Sequence, residues 1–249
     1  MKKILTIGGS DPSGFAGIQA DLLTFSLFGT RGLSAITAIT AQTEKGVKAI
    51  EPVSGSLLKK QVETLLSEHT VNAVKIGMLG TAENAEAVAG LIKRHHLKNI
   101  VLDPVLKSTD GYPLLDKKGI GSLKKLLRSV TLVTPNLSEA GILSGVRVKT
   151  IEDMERAAKK IHSLGCRYVL IKGGHLKGAP IDVLYDGKRF IYFRTGRIKG
   201  PSKRFHGTGC LLSSAIAAGL ARGKNVAEAI KDAKGYVERV VRERGGAGF

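Results

Sequence analysis

His206-Gly207-Thr208-Gly209-Cys210 runs without a break into the apolar, alanine-rich segment 211–220, and no other stretch of the chain concentrates so much possible chemistry. A helix that starts there offers unpaired backbone N–H groups and partial positive charge to whatever the small-residue loop encloses, which suits an anion. The same field favours a thiolate over a thiol, so Cys210 is a candidate base or nucleophile. Gly207, Thr208 and Gly209 are the candidate anion cradle.

More polar residues follow apolar, β-branched runs elsewhere. Gly8-Gly9-Ser10-Asp11-Pro12-Ser13-Gly14 is strong turn chemistry, and its small residues also permit close approach of backbone to a ligand. Gln42 carries the donor and acceptor needed to read a heteroaromatic ring, and equally suits a solvated loop. Met78 is a soft pocket wall or plain core. Asp103, before Pro104, reads as a Mg²⁺ or general-base carboxylate, or as turn initiation. Asn136 and Glu139 have the spacing of a helix N-cap and its N3 partner, which accounts for the pair; organising a hydrated Mg²⁺ is the functional alternative for Glu139. Lys172, in Lys172-Gly173-Gly174-His175, is a phosphate-binding cation or a β-turn lysine.

These residues need a frame. Short apolar runs predict strands at Ile4–Gly8, Ser34–Thr40, Ala73–Gly77, Asn99–Asp103, Thr131–Thr134, Tyr168–Lys172, Asp182–Tyr185 and Phe190–Phe193. Helical patterns fall near 16–28, 56–68, 83–96, 120–129, 152–164, 210–222 and 226–243. Thr150 and Asp153 have capping-box spacing, and Gly165 is a stop signal. The alternation predicts a mostly parallel sheet with helices on both faces, and Asp186-Gly187 predicts a hairpin at one side. The glycine-rich end, 245–249, reads as a frayed tail. In such sheets ligands gather outside the carboxyl ends of the strands, where the candidates above fall.

Composition narrows the classes. The 249 residues suit one domain, 1–249, with 43% hydrophobic residues but only 5% aromatic and no Trp. No apolar run is long enough to span a membrane, and the N-terminus reads as a strand rather than a signal peptide. Two cysteines, Cys166 and Cys210, form no Cys-x-x-Cys pair, so a reducing cytoplasm is expected, and the histidines lack zinc-ligand spacing. The formal charge of +18 comes from 39 basic and 21 acidic residues. They interleave along helices without an aromatic–basic tract, which favours a lysine-rich surface over a nucleic-acid face. The P-loop pattern is absent, and Gly207-Thr208-Gly209-Cys210-Leu211-Leu212 lacks the third glycine of the dinucleotide motif.

In order along nearly the whole chain, Gly9-Ser10-Asp11-Pro12-Ser13-Gly14, Ala16-Gly17-Ile18-Gln19-Ala20-Asp21, Thr40-Ala41-Gln42-Thr43, Lys75-Ile76-Gly77-Met78-Leu79, Asp103-Pro104-Val105, Thr134-Pro135-Asn136-Leu137 with Glu139, Lys172-Gly173-Gly174-His175 and His206-Gly207-Thr208-Gly209-Cys210 resemble the hydroxymethylpyrimidine/phosphomethylpyrimidine kinase family of thiamin biosynthesis, within the ribokinase-like superfamily. The resemblance implies a three-layer α/β/α sandwich and ATP-dependent phosphorylation of 4-amino-5-hydroxymethyl-2-methylpyrimidine and then of its monophosphate. It implies that Gly9, Asp21, Gln42 and Met78 surround the pyrimidine. Cys210 takes the place where many sugar kinases of the superfamily carry an aspartate base, and Gly207, Thr208 and Gly209 form the anion hole. Asp103 and Glu139 would serve Mg²⁺; Lys172, with Asn136 and Thr208, would serve ATP. The chain departs from the family pattern at Phe15, where a glycine is usual, at Leu106-Lys107-Ser108-Thr109-Asp110-Gly111, and at Arg204-Phe205. It ends soon after its last helix, so no fused thiamin-phosphate domain is expected. A cytoplasmic homodimer acting on a small pyrimidine, with neither nucleic acid nor membrane as partner, is the expected setting. A pyridoxal kinase on the same scaffold is the close rival, and a basic nucleic-acid-binding protein the distant one.

Overall fold

The computed structural model describes residues 1–43, 46–108, 111–174, 176, 180–196, 198, 200 and 205–246. His175, Thr109, Asp110, Arg204 and the last residues of the expected tail, 247–249, lie outside them. In chain order the elements are β1 (Lys3–Ser10), α1 (Gly17–Leu27), β2 (Arg31–Thr43), β3 (Gly46–Pro52), α2 (Gly55–Glu68), β4 (Ala73–Ile76), α3 (Ala82–Arg94), β5 (Ile100–Leu102), α4 (Lys117–Leu126), β6 (Leu132–Val133), α5 (Leu137–Ser144), α6 (Ile151–His162), β7 (Tyr168–Ile171), β8 (Ile181–Tyr185), β9 (Phe190–Arg194), α7 (Thr208–Ala221) and α8 (Val226–Gly246).

The strands form one sheet in the order β3-β2-β1-β4-β5-β6-β7-β8-β9. The six strands from β2 to β7 are mutually parallel, while β3 and the β8–β9 hairpin are antiparallel additions at the two edges. Each central strand is buried on both faces, which explains its continuous apolar run. Along β1 the faces alternate: Leu5 and Ile7 pack under α2 to α6, and Ile4 packs under α1, α7 and α8. The result is the expected three-layer α/β/α sandwich, and its two large apolar clusters lie on opposite faces of the sheet.

Local chemistry sets several boundaries. Thr150 and Asp153 form a reciprocal capping box at the start of α6, and Gly165 follows its end at φ 114°. The hairpin turns at Gly187, with φ 91°, and the Asp186 carboxylate accepts the N–H groups of Lys188 and Arg189 at 2.8 Å. Three elements differ from the sequence expectation. Strand β3 was absent from it, because most of its side chains are exposed and carry no apolar signal. Helix α5 is too short to show a period, although its cap was legible. Helix α8 continues to Gly246, into the stretch expected to fray.

Candidate active site

The carboxyl ends of β1, β2, β4, β5, β6 and β7 open onto one cleft of about 180 Å³. The sheet order lays the candidates out as a row. Gln42 comes from β2, Gly9 and Ser10 from β1, Met78 from the turn after β4, Asp103 from just after β5, Asn136 and Glu139 from the turn and helix after β6, and Lys172 from just after β7. Gly207, Gly209 and Cys210 lie across the row at the start of α7 and also line the cleft.

One end of the row is apolar with a polar reader. Met78 packs with Ala38 and Leu114, and Val105 lies against them. A Cβ on Gly9 would stand 3.1 Å from the Met78 sulfur, so glycine lets the strand lie against the thioether. The hydroxyl of Thr40 donates to the Ser10 carbonyl at 2.8 Å, and Gln42 Oε1 lies 3.3 Å from the same hydroxyl. Gln42 is half-buried on the wall.

The other end is charged. Lys172 Nζ donates to Asp103 Oδ1 at 2.8 Å, and Thr134 Oγ1 reaches the same oxygen at 3.3 Å. Burial pushes the Lys172 ammonium down, but Asp103 and Glu139 push it up further, so it sits above the usual lysine range. Gly209 stands over this pair: a Cβ there would lie 3.3 Å from Asp103 Oδ2 and 3.5 Å from Lys172 Nζ. Asn136 and Glu139 form a complete capping box on α5, with Asn136 N–H donating to Glu139 Oε2 at 2.8 Å and Glu139 N–H to Asn136 Oδ1 at 2.9 Å. The structural reading of that spacing therefore holds, and Glu139 lines the cleft as well. Burial raises its carboxyl to about 7, against the pull of Lys172 and with a further push from Asp103. Behind Lys172, the Gly173 N–H donates to Asp182 Oδ1 at 2.8 Å, and Lys234 of α8 pairs with Asp182 Oδ2.

The candidate cradle stands at the start of α7. Gly207 caps α7 with φ 74°, so the first N–H groups of the helix, at Thr208, Gly209 and Cys210, have no carbonyl one turn earlier. The Thr208 side chain turns away: its hydroxyl donates to the Phe205 carbonyl at 2.8 Å, and the residue is not on the cleft wall.

Two sequence readings need correcting. Asp21 is fully buried and off the wall; it accepts from Thr6 Oγ1 at 2.6 Å, Lys75 Nζ at 2.8 Å and Ser214 Oγ at 2.6 Å. Three donors occupy its oxygens, and of the ion pair only Lys75 lines the cleft. Cys210 does line the cleft, but its surroundings do not favour a thiolate. Burial pushes the thiol up, Lys75 pulls it down, Asp21 and Asp103 push it up again, and it comes to about 11.

The residue that sequence reasoning left without a role is Lys75. It lines the cleft with only 1% of its side chain exposed, and although burial opposes the charge, Asp21, Cys210 and Asp103 raise its pKa. The signal was present: a lysine in the middle of Ala73-Val74-Lys75-Ile76, a strand buried on both faces, must have a buried anion.

The sequence matches the family described as "Phosphomethylpyrimidine kinase" over residues 11–248. The hydroxymethylpyrimidine/phosphomethylpyrimidine kinase of Aquifex aeolicus is 43% identical over 240 residues, covering 96% of this chain and 93% of that one. The crystal structure of a phosphomethylpyrimidine kinase from Clostridium difficile is similar with a TM-score of 0.86 and 40% identity, covering 97% of this chain and 100% of that one. The pyridoxal kinase of Staphylococcus aureus, solved in complex with AMP-PCP and pyridoxal, has a TM-score of 0.87 and 38% identity, covering 96% of this chain and 87% of that one.

Proposed function

This chain belongs to the phosphomethylpyrimidine kinase family, and we propose that it transfers the γ-phosphoryl group of ATP to 4-amino-5-hydroxymethyl-2-methylpyrimidine and then to the monophosphate so formed. The observation that carries this reading is the layout of the cleft: an apolar end with Gln42 at one side, and a charged end under a helix N-terminus at the other. Phosphoryl transfer depends on positioning and charge neutralisation more than on covalent chemistry, and both ends supply that. Met78, Val105 and Leu114 cover the faces of the ring, and Gln42 reads its nitrogen edge. Lys172, Asn136 and the first N–H groups of α7 bind the phosphates of ATP.

Mg²⁺ fits the donors present. The described residues hold no cluster of three or more His, Cys, Asp or Glu that could cage a metal. Asp103 and Glu139 are two carboxylates at the phosphate end, which suits an ion that keeps most of its water and takes the rest of its shell from nucleotide phosphates. When bound, Mg²⁺ neutralises charge on the transferring phosphates. Lys172 and the backbone of Gly207 to Gly209 hold the phosphoryl group in line with the acceptor hydroxyl. The second step uses a phosphate acceptor that is already an anion, so it asks nothing of a base.

The Staphylococcus aureus likeness supports a second reading, phosphorylation of pyridoxal by the same cleft. We further propose that the chain works as one kinase domain, in the cytoplasm and as a homodimer; no described helix is long and apolar enough to cross a membrane. The test is an ADP-release assay with purified protein, ATP and Mg²⁺. ADP should form with the pyrimidine or its monophosphate; no turnover with either removes the main reading. A kcat/KM for pyridoxal well above that for the pyrimidine reverses the substrate assignment.

A further inference from the structure

The anion-hole loop is attached to the first loop by contacts that the site as described does not use. Phe15 lies in the first loop, and its ring meets the His206 ring edge-on with centroids 6.5 Å apart. The Arg244 guanidinium, from the last turns of α8, stands over the Phe15 ring, 5.3 Å from its centroid. The same guanidinium donates from Nη1 to the His206 carbonyl at 2.8 Å. The backbone closes the arrangement: a Cβ on Gly207 would stand 1.8 Å from the Phe15 carbonyl oxygen.

Phe15 is itself held in place. Asp11 Oδ1 accepts from the Ser13 N–H at 2.9 Å and the Ser13 hydroxyl at 2.7 Å, and Asp11 Oδ2 accepts from the Ala16 N–H at 2.9 Å. The loop that presents Phe15 is thus tied to Asp11 on both sides of that residue, and Gly8 to Asp11, Ala16 and Gly17 form part of the cleft wall. The backbone of Gly17 also faces the Cys210 thiol. A phenylalanine at 15, where the family pattern has a glycine, gives Arg244 a ring to stack on.

We propose that Arg244 and Phe15 are positioning residues for phosphoryl transfer: together they clamp the N-terminus of α7 to the loop that walls the acceptor end. The clamp acts through geometry alone. Its hydrogen bond fixes the His206 carbonyl, the stacked guanidinium fixes the Phe15 ring, and the Gly207 N-cap between them sets the direction of the N–H groups of Thr208, Gly209 and Cys210. Misplacement of such donors by a fraction of an ångström weakens charge stabilisation in the transition state far more than it weakens binding of the acceptor ring.

The proposal rests on the kinase reading, and two readouts separate their failures. Arg244→Ala and Phe15→Ala should each lower kcat about tenfold for both acceptors, because both steps use the same anion hole, while KM for the pyrimidine stays within about twofold. Arg244→Lys, which keeps the charge and a donor but not the planar stack, should fall between. The double variant should be no worse than either single one, as expected for one unit. Arg244 is only part-buried near the end of its helix, so the melting temperature should hold within about 2 °C. Calorimetric binding of AMP-PCP gives the second readout and needs no turnover: its affinity should drop in both variants. An unchanged kcat, additive losses in the double variant, unaltered AMP-PCP affinity, or a loss that tracks melting would each overturn the clamp. Absence of turnover by the wild-type protein with AMP-PCP binding intact would instead count against the acceptor assignment alone.

Discussion

Replacing Asp21 by asparagine separates a buried anchor from a substrate contact. The carboxylate is fully buried and holds Thr6, Lys75 and Ser214 at 2.6, 2.8 and 2.6 Å. Asp21→Asn keeps the volume and one acceptor oxygen but leaves the Lys75 ammonium, 1% exposed, without its counter-ion. Removing one partner of a buried ion pair costs about 3–5 kcal/mol. For a chain of this size that corresponds to a melting temperature roughly 6–20 °C lower. The pH dependence carries a sign. In the wild type Lys75 is raised above its unfolded value, so its contribution is complete below the unfolded lysine pKa and is lost only as pH rises through the folded one. In the variant, burial without Asp21 depresses the ammonium, the unfolded chain binds more protons, and stability should rise between neutrality and about pH 10. Urea titrations at pH 7, 8 and 9 measure this: the Asp21→Asn midpoint should climb with pH against the wild type. Adding Lys75→Met should recover most of the loss, because the orphaned charge is then gone. KM for the pyrimidine, measured well below the melting temperature, should move less than stability does. A variant as stable as the wild type with KM raised tenfold or more would refute the reasoning and return Asp21 to the substrate.

Two other titratable groups give sharp expectations. Glu139 is raised to about 7 from an ordinary value near 4.5, so between those pH values the folded chain holds a proton that the unfolded chain releases, and raising pH through that window costs stability. Glu139→Gln has no proton to lose, and its urea midpoint should fall less than that of the wild type between pH 5 and pH 8; equal falls would count against a buried, raised carboxyl. Cys210, at about 11, is a neutral thiol at physiological pH. Cys210→Ala should therefore slow the hydroxymethyl and phosphate steps by similar factors, each less than about tenfold, and the wild-type rate should show no thiolate limb between pH 6 and 9. A loss confined to the hydroxymethyl step would reinstate the cysteine as a base.

Much of this was legible in the sequence, for identifiable reasons. Parallel strands buried on both faces are mostly apolar, so β1, β4, β5 and β7 announce themselves, and the candidate residues at their carboxyl ends follow from the topology of open α/β sheets. Local rules sufficed for the caps at Asn136 and Thr150 and for the turn at Gly187, because their partners lie within three residues. What failed depended on partners distant in the chain. Asp21 is joined to Lys75 and Ser214 only by the packing of α1 and α7 against β4, so its spacing in the motif could not tell a ring contact from an anchor. Strand β3 depends on pairing with β2 rather than on its own side chains.

The thiol at Cys210 shows how a correct local rule gives a wrong electrostatic result. A helix N-terminus does favour a thiolate, and Lys75 adds to that field. Yet burial is the largest influence on the group, and Asp21 and Asp103 bring negative charge from two other strand–helix units. Burial, with Asp21 and Asp103 opposing the pull of Lys75, thereby keeps the thiol neutral. A neutral side chain there fits an enzyme with two unlike acceptors. A carboxylate in that position would repel the monophosphate at the short distance needed for transfer, whereas a thiol leaves room for either a hydroxyl or a phosphate oxygen. A loose transition state asks for little deprotonation of the hydroxyl before the phosphoryl group moves, so little catalytic help is lost with the base. By this argument the absence of a negative charge at Cys210 suits both acceptors, and under the proposed function stabilisation of the transferring group falls to Lys172 and the backbone of Gly207 to Gly209.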